Sequence, residues 1–321
     1  AEVQLSPEEL EAREERRRRK EEKERLRLEA EEAERLRLEE IKAQEAAAAN
    51  EKATLWRNAA GQEADCAVIW LHGQGESEVA WQLLMKSVQL PVKCGTVRWV
   101  WPRAPIAPSS ARGSAMTTQW FDVKEFPICR IVRGKPDRGR ITEEPAEVDE
   151  AVRRVRAVVR ALEVEGIPPS RIVLGGFGMG AALVLQMVLR AEDAFAGGIM
   201  CSGWIACPEG LDEVITEVGR NTDLMWCHGA RDAVVEMELA GQSAKRLKES
   251  GIPVQFCLFP ELAFDFNEEV LKVVETFIGE HLDAGLAPAE GEDAPPQSHR
   301  SGEESKGSKV SGEAGEMPVL R

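Results

Sequence analysis

Apolar runs and helical periodicities alternate through the middle of the chain. Cys66–Leu71, Val97–Trp101, Arg171–Gly175, Gly197–Cys201, Asp223–Cys227 and Val254–Phe259 are short and almost continuously apolar. Such runs predict strands buried on both faces. Between them, residues 79–90, 147–165, 179–191, 237–250 and 267–283 read as helices. In 147–165 the apolar positions Val148, Ala151, Val152, Val155, Val158, Val159 and Leu162 recur at helical spacing. Strands alternating with helices predict an α/β fold, a mainly parallel sheet with helices on both faces.

The flanks follow a different pattern. Residues 1–50 are dominated by Glu, Arg, Lys, Leu and Ala. They open on Ser6-Pro7-Glu8-Glu9, a helix-start signature. Pairs such as Glu9/Arg13, Glu14/Arg18 and Glu31/Arg35 stand at i, i+4 with the acid first, the favourable order. Leu26, Leu28, Leu36, Leu38 and Ile41 are too sparse for a sustained heptad seam. A charged helix is expected, a solvated spacer first and a docking helix for a protein partner second. Residues 285–321 are rich in Gly, Ser, Glu, Pro and Ala, a composition expected to be disordered. The globular domain is therefore placed at 62–284.

Composition narrows the function classes. The net charge of −15 disfavours partners that are polyanions, so neither nucleic acid nor an anionic membrane surface is expected. No apolar run approaches the roughly 20 residues of a membrane span. No signal peptide is recognised from Ala1 onward, although Ala1 need not be the native start. The 7 cysteines form no C-x-x-C pair and fall mostly in apolar runs. That pattern points to the cytoplasm or another reducing compartment, with an organellar matrix left open. No cofactor or metal is called for.

The chemistry-bearing motif is Gly176-Phe177-Gly178-Met179-Gly180, between a strand and a helix. A G-x-S-x-G turn in that context is a nucleophile elbow, which lifts a hydroxyl above the sheet edge. Other segments register with it in order. They are His72-Gly73-Gln74-Gly75, Trp101-Pro102-Arg103-Ala104-Pro105, Trp120-Phe121-Asp122, Cys201-Ser202-Gly203-Trp204 and Cys227-His228-Gly229-Ala230-Arg231-Asp232. Together they resemble the acyl-protein thioesterase and carboxylesterase family of α/β-hydrolases over residues 62–284. The resemblance implies a Ser-Asp-His triad, with oxyanion-hole amides at Gln74 and Met179 and acyl-groove walls at Trp120 and Trp204. Carried over position by position, the acid falls on Asp232, the nucleophile on Gly178 and the base near Phe264. Two of three triad groups are then expected to be absent.

The chain's remaining histidines offer no replacement base on sequence grounds. His72 and His228 belong to turn motifs, His281 to the apolar stripe of the last helix, and His299 to the tail. Loss of a triad Ser or His lowers kcat by on the order of 10⁶. Glycine at a strained elbow also relieves a cost of about 1–3 kcal/mol. The sequence thus predicts a pseudoenzyme that binds an acyl chain, an acylated protein or a protein partner, or serves as a structural scaffold subunit. The first alternative is a working ester or thioester hydrolase with an atypical catalytic set. The second is a nucleotide-binding domain, because Gly176-x-Gly178-x-x-Ala181 also fits a loose dinucleotide fingerprint. That reading ranks lower, since no acid ends the following strand.

Overall fold

The computed structural model describes residues 64–90, 96–128 and 143–284, the backbone of Leu55–Arg57, and eight single positions from Arg17 to Glu32. Those eight are helical and exposed. The rest of the 1–50 segment and all of 285–321 lie outside the described residues, as does His299. Among the described residues no helix is long and apolar enough to cross a membrane.

Seven strands form the main sheet. They are β1 (Leu55–Arg57), β2 (Cys66–Leu71), β3 (Val97–Trp101), β6 (Ile172–Phe177), β7 (Gly197–Cys201), β8 (Leu224–Gly229) and β9 (Val254–Phe259). Their order is β1-β3-β2-β6-β7-β8-β9. β1 runs antiparallel to β3, and every other pairing is parallel. A separate hairpin joins β4 (Ile106–Ser109) to β5 (Ala115–Thr118). Six of the seven strands of the sheet match the sequence expectation to within two residues, and β6 and β8 run two residues further. The sequence did not foresee β1 or the hairpin. The hairpin reads Ile-Ala-Pro-Ser and Ala-Met-Thr-Thr, which carries no clear period-two alternation.

The helices are α1 (Glu78–Leu84), α2 (Pro145–Val164), α3 (Met179–Leu189), the short α4 (Leu211–Val214) and α5 (Glu217–Arg220), α6 (Met237–Glu249) and α7 (Glu268–Ala284). α2 buries the seven apolar residues that its periodicity marks. α3 is buried along its whole length. α1 ends early, at Leu84, and tightens into a 3-10 turn over Met85–Ser87; Pro91, which disfavours helical angles at Leu90, lies just beyond.

Alternation along β2 divides the interior between two cores. Ala67, Ile69 and Leu71 enter the core that contains α2, α3 and α6. Cys66, Val68 and Trp70 enter the one built on α1 and α7. Both faces being covered explains why the strand shows no polar positions. Strand order reverses at β2, so the carboxyl ends of β2 and β6 lie side by side, with Leu71 paired to Gly176. Open α/β sheets carry their crevices at such switch points.

Candidate functional site at the end of strand β6

The corner between β6 and α3 is Gly178, with φ 55° and ψ −117°. Such angles are open to glycine and strained for a residue with a Cβ. Its N–H donates to the Cys201 carbonyl at 2.9 Å, and its own carbonyl accepts from Ala182 N–H at 3.1 Å. A Cβ here would fall 2.9 Å from Phe264 Cζ and 3.9 Å from Gly73 Cα. The neighbouring glycines answer to packing. A Cβ on Gly176 would meet the Gly180 carbonyl carbon at 2.6 Å, and one on Gly180 would meet the Leu71 oxygen at 2.1 Å. Of the fingerprint positions, Gly176 answers to helix–strand contact and Gly178 to its positive φ.

The turn after β2 faces this corner. His72 Nδ1–H donates to the Gly73 carbonyl at 2.8 Å, and Nε2 accepts from Ala104 N–H at 3.1 Å. Burial lowers the His72 pKa, against the raising effect of the Gly73 bond, so the ring is a neutral bracket. Trp120 Nε1–H closes the bracket on the His72 carbonyl at 2.9 Å. The Gln74 side chain donates to Ser109 Oγ at 3.0 Å and to Gln119 Oε1 at 2.8 Å. Gly75 N–H donates to the Thr118 carbonyl at 2.8 Å. Turn and hairpin are therefore stitched together. Among the described residues the Gln74 backbone N–H meets no protein acceptor. The Met179 amide opens α3 and has no intrahelical one.

Asp232 follows β8, its side chain wholly buried. Oδ1 accepts from Val234 N–H at 2.9 Å and Val235 N–H at 2.8 Å. Oδ2 makes no hydrogen bond and stands 3.4 Å from His228 Nε2. His228 Nε2–H instead donates to the Val235 carbonyl at 2.9 Å. Burial pushes the His228 pKa down, only partly offset by that carbonyl and by Asp232. The contact is a carboxylate beside a neutral imidazole, not an ion pair. Arg231 turns outward to Glu261.

Phe264 sits on the loop after β9. That loop is pinned to the Asp232 loop by Arg231 N–H donating to the Leu262 carbonyl at 2.9 Å. Its ring packs on Phe177 at a centroid distance of 4.6 Å. Beyond it opens a groove of about 710 Å³, walled by Trp81, Phe177, Phe264 and Phe266, with Ile106 and Met116 from the hairpin. Trp120 and Trp204 are buried at 4% and 3% exposure and do not line it. Trp204 Nε1–H is held by the buried Glu143 carboxylate at 2.7 Å. The groove wall was missed in the sequence. Its signal lay in the aromatic-dense run Phe259-Pro260-Glu261-Leu262-Ala263-Phe264-Asp265-Phe266.

The structure brings Gly178, Phe264, Gln74 and Met179 together and places Asp232 on the adjoining loop. His281 lies elsewhere. It stacks on Phe277 at 3.8 Å, with Nε2 3.4 Å from Asp223 Oδ2, at the opposite end of β8. Ser202, at the end of β7, is buried with φ 51°. Among the described residues no group of three His, Cys, Asp or Glu side chains could hold a metal.

Residues 58–282 match the sequence profile described as phospholipase/carboxylesterase. The chain belongs to this family. Carboxylesterase SOBER1 of Arabidopsis thaliana is 32% identical over 219 residues, covering 67% of this chain and 90% of that protein. Acyl-protein thioesterase 1 homolog 1 of Dictyostelium discoideum is 30% identical over 217 residues, with 67% and 90% covered. The solved structure of Arabidopsis thaliana SOBER1 superposes with a TM-score of 0.58 at 28% identity, over 68% of this chain and 99% of that one. Zea mays acyl-protein thioesterase 2, at 23% identity and a TM-score of 0.58 over 71% and 98%, shares the fold. This phospholipase/carboxylesterase chain is thus an α/β-hydrolase in sequence and in architecture.

Proposed function

We propose that this family member has given up ester hydrolysis and keeps the groove as a binding site for an acyl chain, free or carried on a protein. One observation carries the reading. The elbow residue is Gly178, and the Phe264 ring occupies the approach to it, 2.9 Å from the position of an absent Cβ. The corner offers no attacking oxygen, and a phenyl ring cannot accept its proton. Asp232 supports the same view. Its free Oδ2 is aimed at no imidazolium, and the nearby His228 spends Nε2–H on a carbonyl.

Incubation with a fluorophosphonate probe followed by mass spectrometry tests this. No adduct and no turnover of short-chain esters or acyl thioesters are expected. Gly178→Ser together with Phe264→His is expected to gain measurable turnover. Stoichiometric labelling of the unaltered protein would overturn the proposal.

A second reading is an active hydrolase with an atypical catalytic set. It is favoured by the Gln74 backbone N–H, which has no protein acceptor among the described residues, and by relatives named as carboxylesterase and thioesterase. Turnover by the unaltered chain that Asp232→Asn abolishes, while an acceptor for Val234 and Val235 N–H is kept, would establish it.

A further inference from the structure

The strand order of the main sheet ends on β9. One side of this strand is engaged along its length by β8, from Leu224 opposite Val254 to Gly229 opposite Phe259. The Pro253 and Phe259 carbonyls accept from Leu224 and Ala230 N–H at 2.9 Å on that side. Neighbouring residues of a strand turn their N–H and C=O to opposite sides, so Val254, Phe256 and Leu258 turn theirs outward. Among the described residues no backbone group meets these outward ones. Natural sheet edges are blunted by charge, proline or a bulge. Val254-Gln255-Phe256-Cys257-Leu258-Phe259 carries no charge and no proline, and Pro253 and Pro260 stand just outside it. Antiparallel pairing of two copies about a two-fold axis at Phe256 uses every outward group. Phe256 then faces its own counterpart and Val254 faces Leu258, as hydrogen-bonded pairs, with Gln255 opposite Cys257 between them. No like charges are brought together along the strand.

The helix beside this edge fits the same axis. α6 packs on β8 and β9. On one flank Arg246 reaches the Pro208 carbonyl at 3.1 Å and Asp212 at 3.0 Å, in the segment that follows β7. On the opposite flank Lys248 shares a crevice with Val254 and Gln255 of β9. Gly241, about two turns earlier, stands on that same flank. A Cβ on Gly241 would meet nothing within 4 Å. Glycine inside a helix is destabilising relative to alanine, and no contact within the described chain calls for it. Close approach of a second helix does. α6 also has a charge polarity, with Glu236 and Glu238 at its start and Lys245 and Lys248 toward its end. The two-fold axis sets α6 and its counterpart antiparallel, start against end, so that acids of one copy face bases of the other.

From this geometry we infer that two copies of the chain associate through the outer edge of β9, forming one sheet continuous across a two-fold axis with α6 against its counterpart. The interface goes beyond the binding reading above. It depends neither on what the groove receives nor on whether hydrolysis is lost.

Sedimentation equilibrium of the full chain tests it, in salt of about 0.15 M so that the overall charge of each copy is screened. As concentration rises, the mass is expected to approach twice the 35.4 kDa of one chain. Leu258→Pro removes an outward N–H and leaves the bonds to β8 in place, a position where edge strands accept proline. It is expected to weaken the dimer about tenfold. Gln255 is exposed, and the axis sets it diagonally across the junction from its counterpart. Gln255→Lys and Gln255→Glu are each expected to weaken the dimer roughly threefold, and an equal mixture of the two variants to recover the lost affinity. Gly241→Gln is expected to raise the urea midpoint of the dilute monomer and yet to weaken the dimer about tenfold. A monomer at every concentration would overturn the inference. So would a dimer that the variants at 241, 255 and 258 all leave unchanged, because its contact lies elsewhere, as would an open-ended assembly, which has no closing two-fold axis.

Discussion

Phe264 Cζ lies 2.9 Å from the point where a Cβ on Gly178 would project. The two residues are thus complementary: a ring that reaches the corner and a corner with nothing to meet it. A serine at 178 faces both this contact and a φ of 55°.

Gly178→Ser alone is therefore expected to destabilise the fold. Backbone strain contributes about 1–3 kcal/mol, with displacement of the ring in addition. Because the two sites touch, Gly178→Ser/Phe264→Leu should cost less than the sum of the single changes, by roughly 0.5–3 kcal/mol. A double-mutant cycle from urea unfolding measures this, and strict additivity would contradict the contact.

Asp232 has a structural duty whatever its chemistry. Asp232→Ala orphans the N–H groups of Val234 and Val235, a loss of roughly 2–6 kcal/mol at about 1–3 per buried donor. Asp232→Asn retains an acceptor for both and should cost less. Equal destabilisation of the two variants in chemical denaturation would show that the Oδ1 bonds do not hold the loop.

Acid should weaken the fold before its carboxylates titrate. Burial lowers the pKa of both His72 and His228 from the ordinary 6.5. An unfolded chain then binds protons that the folded one refuses. Stability is accordingly flat above about pH 7 and falls as pH drops below 6.5. Each histidine contributes a slope of up to about 1.4 kcal/mol per pH unit. Urea midpoints between pH 8 and pH 5 test the sign, and midpoints that rise on acidification would refute it.

Among the described residues, Cys207, Cys227 and Cys257 should be silent towards thiol reagents in the native state. Cys201, Cys227 and Cys257 stand in register on β7, β8 and β9. The bond to Cys201, with burial, raises the Cys227 thiol against a lowering contact from Cys257. The bond to Cys227, with burial, raises Cys257, and burial first pushes Cys207 up to about 12. Iodoacetamide at pH 8 followed by peptide mapping should leave Cys207, Cys227 and Cys257 unmodified until denaturant is added. Rapid native labelling of any of the three would contradict their environment.

Strands were legible because both faces of the sheet are covered, which removes polar positions from Cys66–Leu71 or Val254–Phe259. The hairpin was not, because its residues face the groove and solvent and carry no periodicity. At the site, the corner and its flanking turn could be read from glycines and a histidine fixed by backbone geometry. Of the groove wall, only the aromatic-dense run holding Phe264 and Phe266 left a signal in the sequence. Trp81 comes from a helix, Phe177 from a strand and Phe266 from a loop, and only tertiary packing brings them together. Trp120 and Trp204 follow motif segments closely, yet they serve a carbonyl and the buried Glu143.

The glycines on either side of the corner have a consequence for how such motifs are read. Gly176 and Gly180 are small because α3 lies directly upon β2 and β6, so no larger residue fits whatever stands at 178. A chain can shed its reactive group and still preserve every spacing that made the signature recognisable. The glycine spacing therefore reports architecture, and it does not by itself report what stands between the glycines at 178.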